Sequence, residues 1–253
     1  MSSINIKIIN QLNDNYSYIF YNKNGNACII DPAESIPIIE YVNNNNLKIS
    51  DIFITHHHSD HTSGVIEIKK KFPEVNIHSP SSNIENTRFV LKNNDEIESS
   101  INSFKIISTP GHTLDHIIYH DKYNKILFSG DTLFRLGCGR VFEGSLNQMY
   151  ASLQRINELD DDTYIFCGHE YTLSNLNFIE NIISKKDLYL DIRLKIEREL
   201  ELSDKSVPFR LDDEKKYNLF LNQESLIAKA VKKDLNIDSF ELFKYLREKK
   251  DKF

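Results

Sequence analysis

Over the first two-thirds of the chain, apolar residues come in short runs broken by turn residues. "IKIINQL", "YSYIFYN" and "ACIIDPA" read as strands, the last ending at Asp31-Pro32. "DIFITHH" is nearly all apolar before its histidines, the texture of a buried central strand. "VNIHS", "FKIISTP", "HIIYHD", "KILFSGD" and "YIFCGH" are further strands, and "DKYN" is a hairpin-like turn between two of them. Between the strands lie helical patterns: "SIPIIEYVNNNN", which runs out into a polar loop, "GVIEIKKKF", ended by Pro73, and the amphipathic "LNQMYASLQRINEL".

After Tyr171 the pattern changes. "TLSNLNFIENIIS", "LYLDIRLKIERELEL", "QESLIAKAVKKDL" and "DSFELFKYLREKKDKF" carry apolar residues at three- and four-residue spacing, and no strand is expected there. The pattern predicts a mixed β/α domain over 1–171 and a small helical domain over 172–253.

Composition narrows the class. The 253 residues are 40% hydrophobic and 27% charged, as in an ordinary globular protein. No apolar run approaches the roughly 18–20 residues that span a bilayer, and the N-terminus lacks a secretory signal pattern. Three scattered cysteines, Cys28, Cys138 and Cys167, make no disulfide framework, so a cytoplasmic setting is expected. Residues 1–171 hold 14 basic against 21 acidic side chains, and 172–253 hold 17 against 16. With a pI near 5.9 and no basic stripe, a nucleic-acid partner is not expected. Nor is a membrane partner.

The polar chemistry gathers at strand ends. "DIFIT" runs into "HHHSDH", "FKIISTP" into "GH", "KILFS" into "GD" and "YIFC" into "GH". Strands of one sheet set their ends on one rim, so groups distant in sequence can converge there. In extended chain, His56, His58 and Asp60 share a face, and a local turn is needed to bring in His61. With His112, Asp131 and His169 the candidate ligands number seven. That is too many for one tetrahedral ion and suits two ions sharing a bridging carboxylate and a bridging water. Imidazoles and carboxylates without thiolates suit zinc, with iron or manganese as alternatives. One histidine at a strand end is more often structural than a ligand; four such strand ends together are not explained that way. His57, His78, His116 and His120 are read as structural or supporting.

"THHHSDH" resembles the T-H-x-H-x-D-H signature of the metallo-β-lactamase superfamily, and "TPGHT", "FSGDT" and "CGHEY" follow in that superfamily's order. Within it, "LNDNYSYIF", "DTLFRLGCGRVFEG", "GHEYT", "VPFRLDDEKKYNLFL" and "LREKKDKF" resemble the glyoxalase II family over essentially the whole chain. The resemblance implies an αββα sandwich followed by a small C-terminal α-helical domain. It implies a thioester hydrolase acting on S-D-lactoylglutathione and related 2-hydroxyacylglutathiones, with water activated at two divalent ions, as in methylglyoxal detoxification. His56, His58 and His112 would hold the first ion and Asp60, His61 and His169 the second, with Asp131 bridging and Asp60 also orienting the water.

Arg140, Arg247 and Lys250 would bind the glycine carboxylate of glutathione, and Tyr171 its peptide part. Arg247 and Lys250 are three residues apart and share a helix face. Phe142 stands where the family often has Tyr, "NLFLN" where it has N-P-F-L-R, and Asp115 where Gly is common. A monomer is expected, with a dimer as the alternative. The nearest rival reading is a mononuclear-iron persulfide dioxygenase, followed by another hydrolase or nuclease of the superfamily.

Overall fold

Alternation and continuous apolar runs place the first strands as expected. In the computed structural model, which describes residues 4–183 and 186–253, β1 (Asn5–Gln11), β2 (Asn15–Tyr21) and β3 (Asn26–Ile30) pair antiparallel through short turns. β4 (Lys48–Phe53), β5 (Asn76–Ser79) and β6 (Phe89–Val90) then join in parallel. Parallel neighbours need crossovers. α1 (Ile36–Asn44) supplies the one between β3 and β4; α2 (Ser59–Thr62) and α3 (Val65–Lys71) lie between β4 and β5. A second set, β7 (Glu96–Glu98), β8 (Ser103–Ser108), β9 (Ile117–Asp121) and β10 (Ile126–Gly130), pairs antiparallel in sequence order. The "DKYN" turn joins β9 to β10.

Side-chain alternation gives the first sheet two apolar faces. Ile19, Ile29, Ile52 and Ile77 pack with Ile38 and Val42 of α1 and Val65 and Ile68 of α3. The neighbouring positions Phe20 and Phe53 point the other way. They meet Phe104, Tyr119 and Phe128 of the second set, with ring centroids 5.3–5.7 Å apart. Phe104 and Tyr119 stand edge-on to these rings, an arrangement favoured by the ring quadrupole. This aromatic layer joins the two sheets.

The chain divides into two compact units. The first runs to Ser108 and resumes over Asp115–Gly130; the second holds Thr109–Leu114 and Asp131–Phe253. In the second unit, β11 (Leu133–Phe134) and β12 (Gly137–Cys138) make a tight hairpin. α4 (Leu146–Asn157) begins with a capping box between Ser145 and Gln148. β13 (Tyr164–Cys167) is followed by α5 (Thr172–Ile182), α6 (Leu190–Ser203), β14 (Phe209–Arg210), α7 (Leu211–Tyr217), α8 (Leu226–Leu235) and α9 (Ser239–Lys250). Tyr150 of α4 packs against Phe240 and Phe243 of α9 at 5.4 and 5.5 Å. No helix among the described residues is long and apolar enough to cross a membrane.

One element corrects the all-helical expectation after Tyr171, and one helix there was not marked by its pattern. β14 is a strand, pairing antiparallel with β13; two residues after a proline are too short to show a period. α7, "LDDEKKY", is a helix whose sequence lacks an apolar stripe. Its inward side is completed by Glu214, which is fully buried.

The Glu214 carboxylate oxygen Oε2 accepts from the Leu136 amide and from Asn218 Nδ2, both at 2.8 Å. Burial pushes its pKa up from 4.5 to about 7, against the lowering effects of these two hydrogen bonds and of Arg135. A carboxyl raised in the folded state contributes stability in acid. That contribution is fully present below pH 4.5 and is lost as pH rises through about 7. Urea midpoints of wild type and Glu214→Gln, measured from pH 4 to 8, should therefore diverge, with the wild type losing more stability across that window. Parallel curves would mean that Glu214 does not titrate there.

Candidate metal centre

The first unit contributes the residues that follow β4. The strand ends at Phe53, and the chain then passes Thr55 into α2, whose first residue is Ser59. The His61 amide donates to the His58 carbonyl at 3.0 Å. This is the local turn that His61 requires. The ring centroids of His56 and His58 lie 4.8 Å apart, and those of His56 and His61 4.2 Å. Asp60 Oδ2 is 3.7 Å from His61 Nε2. Asn15 Nδ2 donates to both Oδ2 and the backbone carbonyl of Asp60, at 3.1 and 3.0 Å.

A buried carboxylate organises these rings. Asp31, at the end of β3 with φ of 46°, accepts from the Thr55 amide at 2.8 Å, the Thr55 hydroxyl at 2.7 Å and His61 Nδ1 at 3.1 Å. The Thr55 hydroxyl has one proton, which goes to Asp31. His56 Nδ1, 2.9 Å from the same hydroxyl oxygen, must therefore be the donor in that contact. Both rings thus carry their proton on Nδ1 and present a lone pair at Nε2. This is the tautomer a metal-binding histidine takes when an outer partner fixes it. His116 stacks on His56 at 4.8 Å. Gly130, with φ of 46°, lies against this group: a Cβ there would come within 2.6 Å of Thr55 Oγ1 and 2.8 Å of His116 Nε2.

The second unit brings together the other three ligand candidates. Asp131 Oδ2 is 3.3 Å from His112 Nε2 and 3.3 Å from His169 Nε2. His112 Nδ1 donates to the Arg140 carbonyl at 2.8 Å, so its Nε2 also carries the lone pair. The donor chemistry in both units fits divalent cations: imidazole nitrogens fixed in the ligating tautomer, with carboxylates beside them. The cysteines stand aside. Burial pushes Cys28 up to about 12 and raises Cys138 and Cys167, so none is poised as a thiolate nucleophile.

A family model for the metallo-β-lactamase superfamily matches residues 12–169, and one for the hydroxyacylglutathione hydrolase C-terminus matches 170–253. The hydroxyacylglutathione hydrolase of Pectobacterium atrosepticum is 41% identical, covering 99% of this chain and 100% of the relative. That of Citrobacter koseri is 38% identical, again over 99% and 100%. The chain belongs to the hydroxyacylglutathione hydrolase family of the metallo-β-lactamase superfamily. Among solved structures, ETHE1 from Myxococcus xanthus shares the fold, with a TM-score of 0.66 at 21% identity over 96% of both chains. A metallo-β-lactamase from Staphylococcus aureus does so at 0.64 and 23%, covering 98% of this chain and 72% of that one. The chain is thus a hydrolase with the metallo-β-lactamase fold, its His/Asp cluster of a kind that holds divalent metals, and a C-terminal helical domain.

The remaining residues expected in a hydroxyacylglutathione hydrolase all fall in the second unit. Phe142 is exposed and sets its ring edge-on to His112 at 5.2 Å; Tyr171 stacks on His169 at 4.8 Å. The exposed Arg140 guanidinium lies over Phe142 at 5.4 Å. Arg247 is only 5% exposed. It donates through Nε and Nη2 to Asp251 Oδ1, at 3.1 and 2.8 Å, and through Nη1 to the Cys138 carbonyl at 2.9 Å. Arg140 Nε is 3.7 Å from the same Asp251 oxygen, so the two arginines flank one carboxylate of their own chain. Lys250 donates to the Ser174 carbonyl and hydroxyl at 3.1 and 2.9 Å and faces the rings of Phe178 and Phe253.

Sequence reasoning missed Asp31, Thr55, Asn15 and Asp251. Asp31 had a usable signal: like the ligand candidates, it is a polar residue at a strand end.

The Asp31 hydrogen bonds imply a test in this hydroxyacylglutathione hydrolase family member. Asp31→Ala should weaken zinc binding about 10- to 100-fold, the usual effect of losing an outer partner of a metal-binding histidine. Competition against a chromophoric chelator measures it. Unchanged affinity would mean that Asp31 does not set the tautomers.

Proposed function

We propose that this chain hydrolyses the thioester of S-D-lactoylglutathione and related 2-hydroxyacylglutathiones, releasing the 2-hydroxy acid and glutathione. The observation that carries the reading is the match to the Pectobacterium atrosepticum and Citrobacter koseri proteins, each named hydroxyacylglutathione hydrolase, over 99% of the chain. In this reading His56, His58 and His112 hold one divalent ion and Asp60, His61 and His169 a second, with Asp131 as the shared carboxylate. Zinc is the ion the nitrogen-rich ligand set favours, with iron or manganese as alternatives. Two such ions, when bound, lower the pKa of a shared water and polarise the thioester carbonyl.

The chain's own residues do the rest. Asp31 and Thr55 hold His56 and His61 in their ligating tautomers, and the Arg140 carbonyl does so for His112. Asn15 fixes Asp60, which orients the attacking water. Phe142 and Tyr171 lie beside His112 and His169. Arg140, Arg247 and Lys250 form the cationic anchor for the glycine carboxylate, with Tyr171 on the peptide part; in this reading residues 172–253 are the substrate-binding domain and 1–171 the metal-binding domain. Asp251 already takes two of Arg247's donors, so the more exposed Arg140 carries the direct contact and Arg247 backs it. The reading is of a cytoplasmic monomer, consistent with three free, buried cysteines.

The test is hydrolysis of S-D-lactoylglutathione beside a matched thioester lacking the glycine carboxylate. Arg140→Ala should raise KM on the first roughly tenfold with little change in kcat, because a contact remote from the carbonyl is nearly equal in ground and transition states. It should leave the second substrate alone. Absence of hydrolysis by the metal-loaded wild type would contradict the reading outright.

Lys250 adds a pH signature. Its burial, with Arg247 nearby, pulls its pKa down from 10.5 to about 8. Its charge, and with it substrate affinity, is lost as pH rises through about 8. KM for S-D-lactoylglutathione should rise from pH 7 to 9 in wild type and less steeply in Lys250→Met. Equal slopes would remove Lys250 from the anchor.

A further inference from the structure

The hairpin β11–β12 carries an unusual load. Its tip, Arg135-Leu136, is buried, and so are Leu133, Phe134 and Cys138. A buried turn leaves backbone groups that water cannot reach, and each needs a partner. Here the partners are side chains from far along the chain. Asn175 Nδ2 donates to the Arg135 carbonyl at 3.0 Å. Glu214 Oε2 accepts from the Leu136 amide at 2.8 Å. Asn218 Nδ2 lies 3.3 Å from the Phe134 carbonyl and 3.1 Å from the Gly137 carbonyl, and it also donates to Glu214. Arg247 Nη1 donates to the Cys138 carbonyl at 2.9 Å. Arg135 itself reaches Glu199 and, at 3.1 Å, the Ser206 carbonyl.

What the hairpin leads into gives these contacts a consequence. Directly after Cys138, the Gly139 amide donates to the Thr132 carbonyl at 3.2 Å, and a Cβ at Gly139 would fall 1.9 Å from the Asp131 carbonyl oxygen. Chain entering and chain leaving the hairpin are therefore packed backbone to backbone beside Asp131. The next residue, Arg140, offers the carbonyl that holds the proton of His112 Nδ1. A shift of the hairpin would move that carbonyl, and the lone pair at His112 Nε2 would lose its aim.

We infer that Asn175, Glu214 and Asn218 are positioning residues for the metal ligands His112 and Asp131, acting through the 133–140 hairpin. The helical segment then has a second task beside substrate binding: it sets the geometry of a ligand loop that lies earlier in the chain. Glu214 serves as an acceptor for two N–H groups, a task its neutral form can also perform at the pH where burial holds it partly protonated. The charged and titratable groups around it are Arg135 of the hairpin, Asp213 of α7 and Tyr189.

The inference rests on the reading that these ligands hold divalent ions, and it is tested on the full-length chain. Zinc affinity is measured by chelator competition for wild type, Asn218→Ala, Glu214→Leu and Glu214→Gln, together with kcat and KM. Asn218→Ala and Glu214→Leu should weaken the binding of one zinc about tenfold and lower kcat, with KM changing less than twofold. Glu214→Gln keeps a carbonyl oxygen for Leu136 and Asn218 and should recover most of the zinc affinity lost in Glu214→Leu. A merely stabilising network would lower the thermal midpoint of all three variants without moving zinc affinity, and that result overturns the inference. Should Asn218→Ala not fold, Asn175→Ala, which withdraws a single bond, replaces it, with severalfold weaker zinc binding expected and wild-type affinity counting against the inference. A wild type that takes up no zinc overturns the metal reading beneath it, and this inference with it; normal uptake in wild type and variants alike overturns this inference alone.

Discussion

A single buried carboxylate governs the histidine cluster. Asp31 accepts three hydrogen bonds, from the Thr55 amide, the Thr55 hydroxyl and His61. A carboxylate that has left water needs such partners, and charge-assisted bonds of this kind are worth roughly 1.5–3 kcal/mol each. Satisfying Asp31 uses up the Thr55 proton. That forces His56 to donate in turn, and two rings are fixed in the ligating tautomer by one acceptor. The strand end that supplies Asp31 and the strand end that supplies Thr55 are held in register by the parallel pairing of β3 with β4. The chemistry of the cluster thus rests on a sheet register, which in turn rests on the isoleucine face and the aromatic layer.

The second unit solves a similar problem by other means. There the backbone itself needs partners, because the β11–β12 tip is buried. Side chains from α5, α7, the following turn and α9 supply them. The cost of leaving any one of those carbonyls or amides unpaired is about 1–3 kcal/mol. This explains why polar residues such as Asn175, Glu214 and Asn218 are among the most buried in a segment whose sequence otherwise reads as plain amphipathic helix.

Much of this was legible in the sequence. The short apolar runs broken by turn residues located the main strands, and the "THHHSDH" spacing put His56, His58 and Asp60 on one side with a turn for His61. The resemblance supplied the family. What escaped had no period to betray it. β14 is two residues long, and α7 presents a buried glutamate where a helix would show an apolar residue. Asp31 sat at a strand end, as the ligand candidates do, but alone, with no neighbouring histidine to mark it. The Asn218 and Glu214 contacts span more than 75 residues of sequence, and no local pattern predicts which distant carbonyl an asparagine will meet. For Arg247 the sequence showed a cation sharing a helix face with Lys250, but not the Asp251 carboxylate four residues on that already occupies it.

The proposed set of seven ligands would hold two cooperating ions. Its most direct test is to titrate the metal-stripped chain with zinc and follow bound metal and S-D-lactoylglutathione hydrolysis on the same samples. If the ligand set works as a pair of sites, hydrolysis should remain low through the first equivalent and rise with the second. Full activity at one equivalent per chain would contradict it.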